Sequence, residues 1–304
     1  MVRVLVTDGM EKSGIEELRA KGFEVVEKFY EPEELGAQLH NFDVLVVRSA
    51  TKVRQPIIDK AMEAGRLKLV IRGGVGVDNI DVAYAMEKGI KVTNTPNASS
   101  ASVAELAIGH MFAVTRFINI ANVSMRQGKW DKKKYEGIEL GGKTLGLVGF
   151  GRISKEVAKR AEALGMKVIY TDIIGKAEGF DQYEFCSFED VLKRSDFVSL
   201  HIPLNKEKGA VIGKEEIAMM KDGAYIINCA RGGVVCEEAL LEALNSGKLA
   251  GAGVDVFAEE PTKNEALVNH PKVSVTPHIG ASTAEAQTRI GAEIVSIIAD
   301  FFKA

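Results

Sequence analysis

The sequence predicts an α/β protein that contains two doubly wound parallel sheets. Short apolar runs alternate with segments of helical period along the whole chain, which is the pattern of parallel strands covered by helices. The apolar runs fall into two groups, and a long apolar helical stretch separates them. With 304 residues, the chain is long enough for two domains that each bury a core of their own.

Four strands are predicted in the first group and six in the second. The runs of the first group are VRVLVT (2–7), DVLVV (43–47), LKLVI (67–71) and IKVT (90–93). The runs of the second group are TLGLVG, KVIYTD, DFVSLH, AYIINCA, GAGVDVF and VSVTPH. Because helical segments lie between consecutive runs, each group is expected to form one parallel sheet.

One long, buried helix is predicted between the two groups, from residue 98 to about residue 126, because its apolar positions recur on a wide helical face. The last predicted helix, TAEAQTRIGAEIVSIIADFF, has no strand after it, so we expect it to return to the first domain. The expected domains are therefore a discontinuous one over residues 1–97 and 284–304, and a second one over residues 98–283.

The composition argues against several classes of function. A net charge of -3 gives no reason to expect binding to nucleic acid or to a membrane surface. Cys186, Cys229 and Cys236 match no metal-binding spacing, and their odd number argues against a disulfide framework. The N-terminus opens directly into a strand, without a charged leader, and no run of 18 apolar residues occurs. We therefore expect a cytoplasmic protein without a metal site.

Three polar residues each follow a predicted strand: Arg231, Glu260 and His278. Ligands of parallel sheets bind outside the carboxyl ends of the strands, so these side chains should converge. An arginine can hold a carboxylate through two hydrogen bonds, and an imidazole can accept a hydroxyl proton near neutral pH. A carboxylate beside the imidazole fixes its tautomer and stabilises its cation. The set predicts the oxidation of a 2-hydroxy acid.

A glycine-rich turn predicts a dinucleotide site. In TLGLVGFGRIS, a strand leads to Gly149 and Gly151, and Ser154 holds the third position of the G-x-G-x-x-G frame. Asp172 ends the next strand, where a carboxylate accepts hydrogen bonds from the ribose hydroxyls of NAD. The same carboxylate would repel the 2′-phosphate of NADP. We therefore expect a Rossmann-type domain that prefers NAD.

Taken together, the motifs resemble those of the D-isomer-specific 2-hydroxyacid dehydrogenases, over essentially the whole chain. The segments that carry the resemblance are RSATKV (48–53), RGGVGVDNID (72–81), NTPN (94–97), GKTLGLVGFGRIS, NCARGGVV (228–235), GVDVFAEEP and TPHIGAS. The resemblance implies a flavodoxin-like substrate-binding domain beside the Rossmann-type NAD-binding domain. A homodimer is expected from the long helix and the arm that follows it.

The resemblance also implies roles for individual residues. Arg231, Glu260 and His278 correspond to the catalytic arginine, glutamate and histidine. Cofactor contacts are implied for Gly149, Gly151, Arg152, Ile153, Asp172, Pro203, Cys229, Ala230, Asp255 and Gly280. Substrate contacts are implied for Arg48, Ser49, Arg72, Gly73, Gly74, Val75 and Lys132. Ser154 in the glycine turn departs from the family pattern, as do Val75 and Ile202, which stand where threonines are frequent.

The motifs look most like those of family members that oxidise D-3-phosphoglycerate to 3-phosphohydroxypyruvate, the first step of the phosphorylated route to serine. Several cations favour a phosphorylated substrate: Arg48, Lys52, Arg54, Arg72 and the run Lys132, Lys133 and Lys134. Because the chain stops about where the dehydrogenase core stops, no serine-binding regulatory domain is expected. One alternative is another D-2-hydroxyacid dehydrogenase, such as a glyoxylate/hydroxypyruvate reductase or a D-lactate dehydrogenase. A remote alternative is an NAD-sensing corepressor that binds peptide partners.

Overall fold

The computed structural model describes residues 1–205 and 207–303, so Ala304, at the end of the expected segment 284–304, lies outside the described residues. The chain divides into two compact units. The first unit combines Met1–Ser99 with Ala281–Ala304, and the second unit is Ser100–Gly280. Each unit contains one parallel sheet, which confirms the predicted α/β fold class.

The sheet of the first unit has five parallel strands in the order β2-β1-β3-β4-β5. These strands are β1 (Arg3–Val6), β2 (Glu24–Glu27), β3 (Val44–Val47), β4 (Leu69–Arg72) and β5 (Lys91–Asn94). Four helices come from the N-terminal part of this unit, and the fifth is the last helix of the chain. They are α1 (Lys12–Ala20), α2 (Pro32–Gln38), α3 (Gln55–Met62), α4 (Val82–Glu87) and α12 (Ala284–Phe302).

Both faces of this sheet are buried. Side chains of a strand alternate between the two faces, and β1 shows the result. Val4 and Val6 join an apolar cluster that includes residues of α12, whereas Leu5 joins the cluster on the opposite face. The helices α1 and α12 approach closely at two glycines, because a Cβ on Gly14 would lie 3.2 Å from the Cα of Gly291. The last helix therefore completes the core of the first unit.

The sheet of the second unit has seven parallel strands in the order β12-β11-β10-β9-β6-β7-β8. Its strands are β6 (Thr144–Val148), β7 (Lys167–Thr171), β8 (Glu184–Phe185), β9 (Phe197–Leu200), β10 (Ala224–Asn228), β11 (Leu249–Val254) and β12 (Val273–Val275). Its helices are α5 (Ser100–Thr115), α6 (Ile118–Arg126), α7 (Arg152–Ala163), α8 (Phe188–Arg194), α9 (Lys214–Met219), α10 (Glu237–Ser246) and α11 (Glu265–Val268).

The single long helix predicted for residues 98 to 126 is wrong, because two helices occupy this stretch. Phe117 adopts a left-handed backbone conformation with φ 56° between α5 and α6. The carbonyl oxygen of Thr115, at the end of α5, accepts a hydrogen bond from the backbone N–H of Ile138. A later segment of the chain therefore satisfies the end of α5, and the direction of the chain changes by 63°.

Within the described residues, no single helix has the length and hydropathy that a membrane span requires. Taken together, the bent pair of helices α5 and α6 is long and apolar enough to meet both requirements. Much of α5 is buried inside the second unit, where it packs against β11 and α7.

Candidate active site

Arg231, Glu260 and His278 follow three strands that are neighbours in the second sheet. Arg231 comes after β10, Glu260 after β11 and His278 after β12, and these strands lie in the order β12-β11-β10. Because all three are parallel, their carboxyl ends meet at one edge of the sheet. The structure brings the histidine and the glutamate into direct contact, since Nδ1 of His278 lies 2.7 Å from Oε2 of Glu260.

Glu260 is held as a carboxylate. Burial raises the pKa of Glu260, but the hydrogen bond and charge of His278, the backbone N–H of Phe257 and the charge of Arg231 together lower it below the usual 4.5. The other oxygen, Oε1, accepts the hydrogen bond from Phe257 N at 3.1 Å. A carboxylate fixed at both oxygens orients Nδ1 of the imidazole, so Nε2 remains for a substrate.

The turn that carries Arg231 is fixed by Asn228, a residue that is only 4% exposed. The Asn228 side chain donates to the carbonyl of Arg231 at 3.0 Å and accepts from the backbone N–H of Ala230 at 3.1 Å. The next residue is Gly232, where an added Cβ would lie 1.7 Å from the carbonyl oxygen of Phe257. Only glycine fits there, so the backbones of the arginine turn and the glutamate loop are in contact.

The backbone of His278 has an uncommon conformation, with φ 54°, and Asp255 holds the residues around it. The carboxylate of Asp255 is 1% exposed and accepts from the backbone N–H groups of Ile279 and Gly280, each at 2.9 Å. The backbone N–H of His278 donates to the carbonyl of Asp255 at 2.8 Å. Asp255 therefore fixes the turn from which the imidazole projects.

The glycine turn has the geometry that a pyrophosphate requires. Gly149 has φ 86°, and a Cβ on it would lie 2.7 Å from the carbonyl oxygen of His201. At Gly151, which precedes the first residue of α7, an added Cβ meets nothing within 4 Å. The turn is therefore tight at its first glycine and open at the second, in front of the N-terminal amides of a helix, which favour an anion.

Asp172, which the sequence predicts to bind the ribose, lies next to this turn. Its Oδ2 accepts from the backbone N–H of Phe150 at 2.6 Å, and its Oδ1 accepts from that of Ile174 at 3.0 Å. A carboxylate has about four acceptor positions, so both oxygens can also accept from ribose hydroxyls. These residues fit a dinucleotide.

Two exposed isoleucines beside Asp172 were missed by the sequence reasoning. Ile173 is 103% exposed and Ile174 is 88% exposed, so both side chains project fully from the second unit. Apolar surface of this kind suits the face of an adenine ring. The signal in the sequence is the II pair directly after the acidic residue, which is unusual in an exposed turn.

The other cofactor candidates are spread over the same edge of the second unit. Arg152 and Ile153 begin α7, Pro203 is exposed after β9, and Cys229 and Ala230 follow β10 directly. Burial raises the pKa of the Cys229 thiol, so it stays protonated at neutral pH. Ser154 is fully buried in α7, and its hydroxyl has no hydrogen-bond partner among the described residues.

In the first unit, the substrate candidates Arg48 and Ser49 lie in a loop after β3 that is held from two sides. Oδ2 of Asp8, after β1, accepts from the backbone N–H groups of Arg48 at 2.7 Å and Thr51 at 3.0 Å. The side-chain amide of Asn79 donates to the carbonyls of the same two residues, each at 2.7 Å. The loop is therefore rigid at its base, while the side chain of Arg48 remains half-buried.

The loop of Gly73, Gly74 and Val75 follows β4 and packs against an arginine. Gly74 has φ 144°, and a Cβ on it would overlap Nη1 of Arg72, at 1.5 Å. The backbone N–H of Thr95 donates to the carbonyl of Gly74 at 3.1 Å. Arg72 therefore supports this loop. The remaining candidate, Lys132, lies in the second unit, exposed in a short 3-10 helix over Lys132–Lys134.

Comparison with known proteins assigns the chain to a family. Residues 108–280 match the family described as D-isomer specific 2-hydroxyacid dehydrogenase, NAD binding domain. The chain is 52% identical over 301 residues to the hydroxypyruvate reductase of Thermotoga maritima, and the match covers 97% of both proteins. The chain belongs to the D-isomer-specific 2-hydroxyacid dehydrogenases. The family predicted from the sequence motifs is thereby confirmed.

Other relatives of this D-2-hydroxyacid dehydrogenase differ in length and in name. It is 49% identical over 294 residues to the D-3-phosphoglycerate dehydrogenase of Methanocaldococcus jannaschii, a match that covers 96% of this chain and 56% of that protein. Among solved structures, it is similar to the D-lactate dehydrogenase from Aquifex aeolicus complexed with NAD and lactic acid, with a TM-score of 0.86 and 30% identity. That similarity covers 99% of this chain and 95% of the other. The D-2-hydroxyacid dehydrogenase described here is an NAD-dependent oxidoreductase.

Proposed function

We propose that this dehydrogenase oxidises D-3-phosphoglycerate to 3-phosphohydroxypyruvate, which would be the first step of the phosphorylated route to serine, in the cytoplasm. The observation that carries the proposal is the state of Arg48. Its side chain is half-buried at the carboxyl end of β3 and makes no hydrogen bond or ion pair within the part of the chain that the structure describes. A half-buried, unpaired guanidinium is well suited to an anionic ligand.

The neighbouring cations support this choice of residue. Arg54 is already engaged, because its Nη1 lies 2.8 Å from Oδ1 of Asp81 and its Nη2 donates to the carbonyl of Asp78. Arg72 packs over Gly74. Arg48 is therefore the arginine of this region that we propose for the phosphate, with Ser49 and the amides of Gly74 and Val75 as further substrate contacts. Lys132 is proposed as a secondary phosphate contact.

The catalytic roles follow from the site in the second unit. Arg231 is proposed to hold the substrate carboxylate, so that C2 lies near His278. Bound NAD supplies the acceptor for the hydride that leaves C2. Nε2 of His278 takes the proton of the C2 hydroxyl, because Nδ1 is occupied by Glu260. Glu260 then stabilises the imidazolium through its carboxylate.

Reduction of hydroxypyruvate is the second candidate, and a specific observation favours it. The hydroxypyruvate reductase of T. maritima matches this chain over 97% of both proteins. By contrast, the chain spans little more than half the length of the D-3-phosphoglycerate dehydrogenases that it matches. Both reactions would use the same catalytic residues; they differ in direction and in the 3-phosphate of the substrate.

A panel of D-2-hydroxy acids assayed with oxidised NAD tests the proposal. D-3-phosphoglycerate, D-glycerate and D-lactate should be compared by kcat/KM, and the reverse reaction should be run with hydroxypyruvate and its 3-phosphate. A higher kcat/KM for the phosphorylated compounds in both directions is the expected result. A preference for D-glycerate and hydroxypyruvate would replace the first candidate with the second.

We also propose that the protein is a homodimer. Several large apolar side chains in and after α6 are exposed: Ile118 at 55%, Val123 at 55%, Met125 at 53% and Trp130 at 79%. Burial of such side chains in an interface is favourable. Analytical ultracentrifugation should give the mass of two chains, and Trp130→Asp should shift the population toward one chain.

A further inference from the structure

A buried histidine, His110, connects helix α5 with the end of strand β12. The residue is 2% exposed and lies on the face of α5 that packs against β11. Gly253 of β11 makes room for it, because a Cβ at that position would lie 2.5 Å from the Cβ of His110. The imidazole therefore occupies a site that is shaped for it, inside the second unit.

Both nitrogens of His110 have hydroxyl partners. Nδ1 lies 2.9 Å from Oγ of Ser274, and Nε2 lies 3.0 Å from Oγ1 of Thr276. Burial lowers the pKa of His110, and the charge of Asp255 only partly opposes this, so the imidazole is neutral at neutral pH. A neutral imidazole has one donor and one acceptor nitrogen.

A hydrogen bond between Thr276 and Asp255 shows which nitrogen of His110 is the donor. Oγ1 of Thr276 donates to Oδ1 of Asp255 at 2.5 Å. Because the single hydroxyl proton of Thr276 is used in this bond, its oxygen must accept from His110. Nε2 therefore carries the proton, and Nδ1 accepts from the hydroxyl of Ser274. The hydrogen bonds form one directed chain from Ser274 to the Asp255 carboxylate.

This chain of hydrogen bonds ends at the turn that carries His278, the proposed base. The Asp255 carboxylate also accepts from the backbone N–H groups of Ile279 and Gly280, on the C-terminal side of His278. On the N-terminal side, Thr276 accepts at its carbonyl from His278 N at 3.1 Å. Thr276 and Asp255 thus hold His278 from both sides, and His110 is the only described side chain that donates to the Thr276 hydroxyl.

We propose that His110 is a positioning residue for the reaction, acting through Thr276 and Asp255 on the orientation of the His278 imidazole. The inference rests on the proposed role of His278 as the base. If His110 served only to fill space, an apolar side chain of the same volume would serve as well and would avoid burying polar groups. The oriented chain of hydrogen bonds instead limits the rotation of Thr276 and the position of the Asp255 carboxylate.

The test uses a double-mutant cycle with His110→Met and Thr276→Val, and the substrate is whichever D-2-hydroxy acid the wild-type enzyme oxidises best. Each single variant should lower kcat about tenfold, the value of one oriented hydrogen bond, with a much smaller change in the substrate KM. The double variant should lose no more than the worse single variant, because both interrupt the same chain. His110→Gln should recover part of the kcat, because its amide can donate to Thr276.

Thr115→Val is the matched control. Thr115 is 1% exposed on the same helix, and its hydroxyl donates to the carbonyl of Met111 at 2.7 Å, outside this chain of bonds. It should lower the thermal midpoint and leave kcat unchanged. Additive losses in the cycle, or equal kcat in the Met and Gln variants, would overturn the inference.

A readout that does not use activity separates this inference from the proposed function. In protein labelled with ¹⁵N at histidine, NMR should show His110 as the neutral Nε2–H tautomer, and Thr276→Val should shift that proton. A protonated imidazole or the Nδ1–H tautomer would refute the hydrogen-bond chain. If the tautomer is as expected but His278→Ala keeps normal turnover, the proposed role of His278 fails and the positioning role of His110 fails with it, while the hydrogen-bond chain stands.

Discussion

Oε2 of Glu260 lies 2.7 Å from Nδ1 of His278, so the carboxylate and the imidazole form one unit with a single free nitrogen. The two residues are contributed by the ends of neighbouring strands, β11 and β12. Their contact means that the hydrogen bond and the charge of His278 lower the pKa of the Glu260 carboxylate, against the effect of burial. This relationship leads to the first two predictions.

His278→Ala should lower kcat by about 10²-fold or more, because the proposed general base is lost. The dissociation constant of NADH, measured by fluorescence, should change little, since the glycine turn and Asp172 are intact. Steady-state kinetics with the best D-2-hydroxy acid measures the effect. Turnover close to that of the wild type would show that another group removes the proton.

Glu260→Gln should lower kcat in both directions by about tenfold or more, because a neutral amide stabilises the imidazolium of His278 less than a carboxylate does. Burial raises the pKa of Glu260, but the hydrogen bond and charge of His278 lower it below its usual value, so the carboxylate is charged at neutral pH. Steady-state kinetics of oxidation and of reduction measures the effect. Unchanged kcat in both directions would show that the two groups are not coupled in solution.

Asp172→Asn should reduce the preference for NAD over NADP by about tenfold or more in kcat/KM, because the charge that repels the 2′-phosphate is removed. Asparagine retains an oxygen that can accept from Phe150 or Ile174, so the turn should persist. The ratio of the two cofactors is measured at fixed substrate concentration. Equal kcat/KM for NADP and NAD in the wild-type enzyme would contradict the role assigned to Asp172.

Arg48→Ala should raise the KM for D-3-phosphoglycerate by about tenfold or more and change that for D-glycerate much less, because a charge-assisted hydrogen bond to the phosphate is lost. Arg54→Ala is the matched control, since Arg54 is already paired with Asp81. An equal rise in KM for both substrates would show that Arg48 contacts a group that the two substrates share.

His201 should make the protein less stable toward acid. Burial lowers the pKa of His201 from 6.5 to about 4. The unfolded chain therefore binds a proton as the pH falls through 6.5, whereas the folded protein binds it only near pH 4. The contribution of His201 should lower the free energy of unfolding as the pH falls from 6.5 to about 4. Below that range, this residue should cause no further decrease. In His201→Gln, urea denaturation should show a shallower decrease over the same pH range, and an unchanged slope would argue against the assignment.

Much of the fold could be predicted because buried parallel strands consist of continuous apolar runs. Two strands were nevertheless missed. Glu24–Glu27 has glutamates at both ends and lies at an edge of its sheet, and Glu184–Phe185 is a two-residue edge strand with both side chains exposed. Edge strands bury less surface, so their sequences carry a weaker apolar signal.

The break at Phe117 shows a different kind of limit. No glycine or proline marks it, and a left-handed phenylalanine is rare. Beside it, the carbonyl of Thr115 accepts a hydrogen bond from the backbone N–H of Ile138, a residue that the helical pattern does not connect with it. His110 and Thr276 likewise meet across 166 positions of the sequence. The strand ends placed Glu260 and His278 on one edge, but the supporting hydrogen bonds depend on tertiary contacts.

The contact between Gly232 and Phe257 limits how this enzyme can be redesigned for other substrates. Because the arginine turn rests on the backbone that leads to Glu260, Arg231 cannot be displaced to admit a bulkier acid without displacing the proposed acid–base pair as well. The second unit thus offers protein engineers little freedom at its proposed reaction centre. The loops after β3 and β4, which carry none of the proposed proton-transfer groups, are the better targets for saturation mutagenesis.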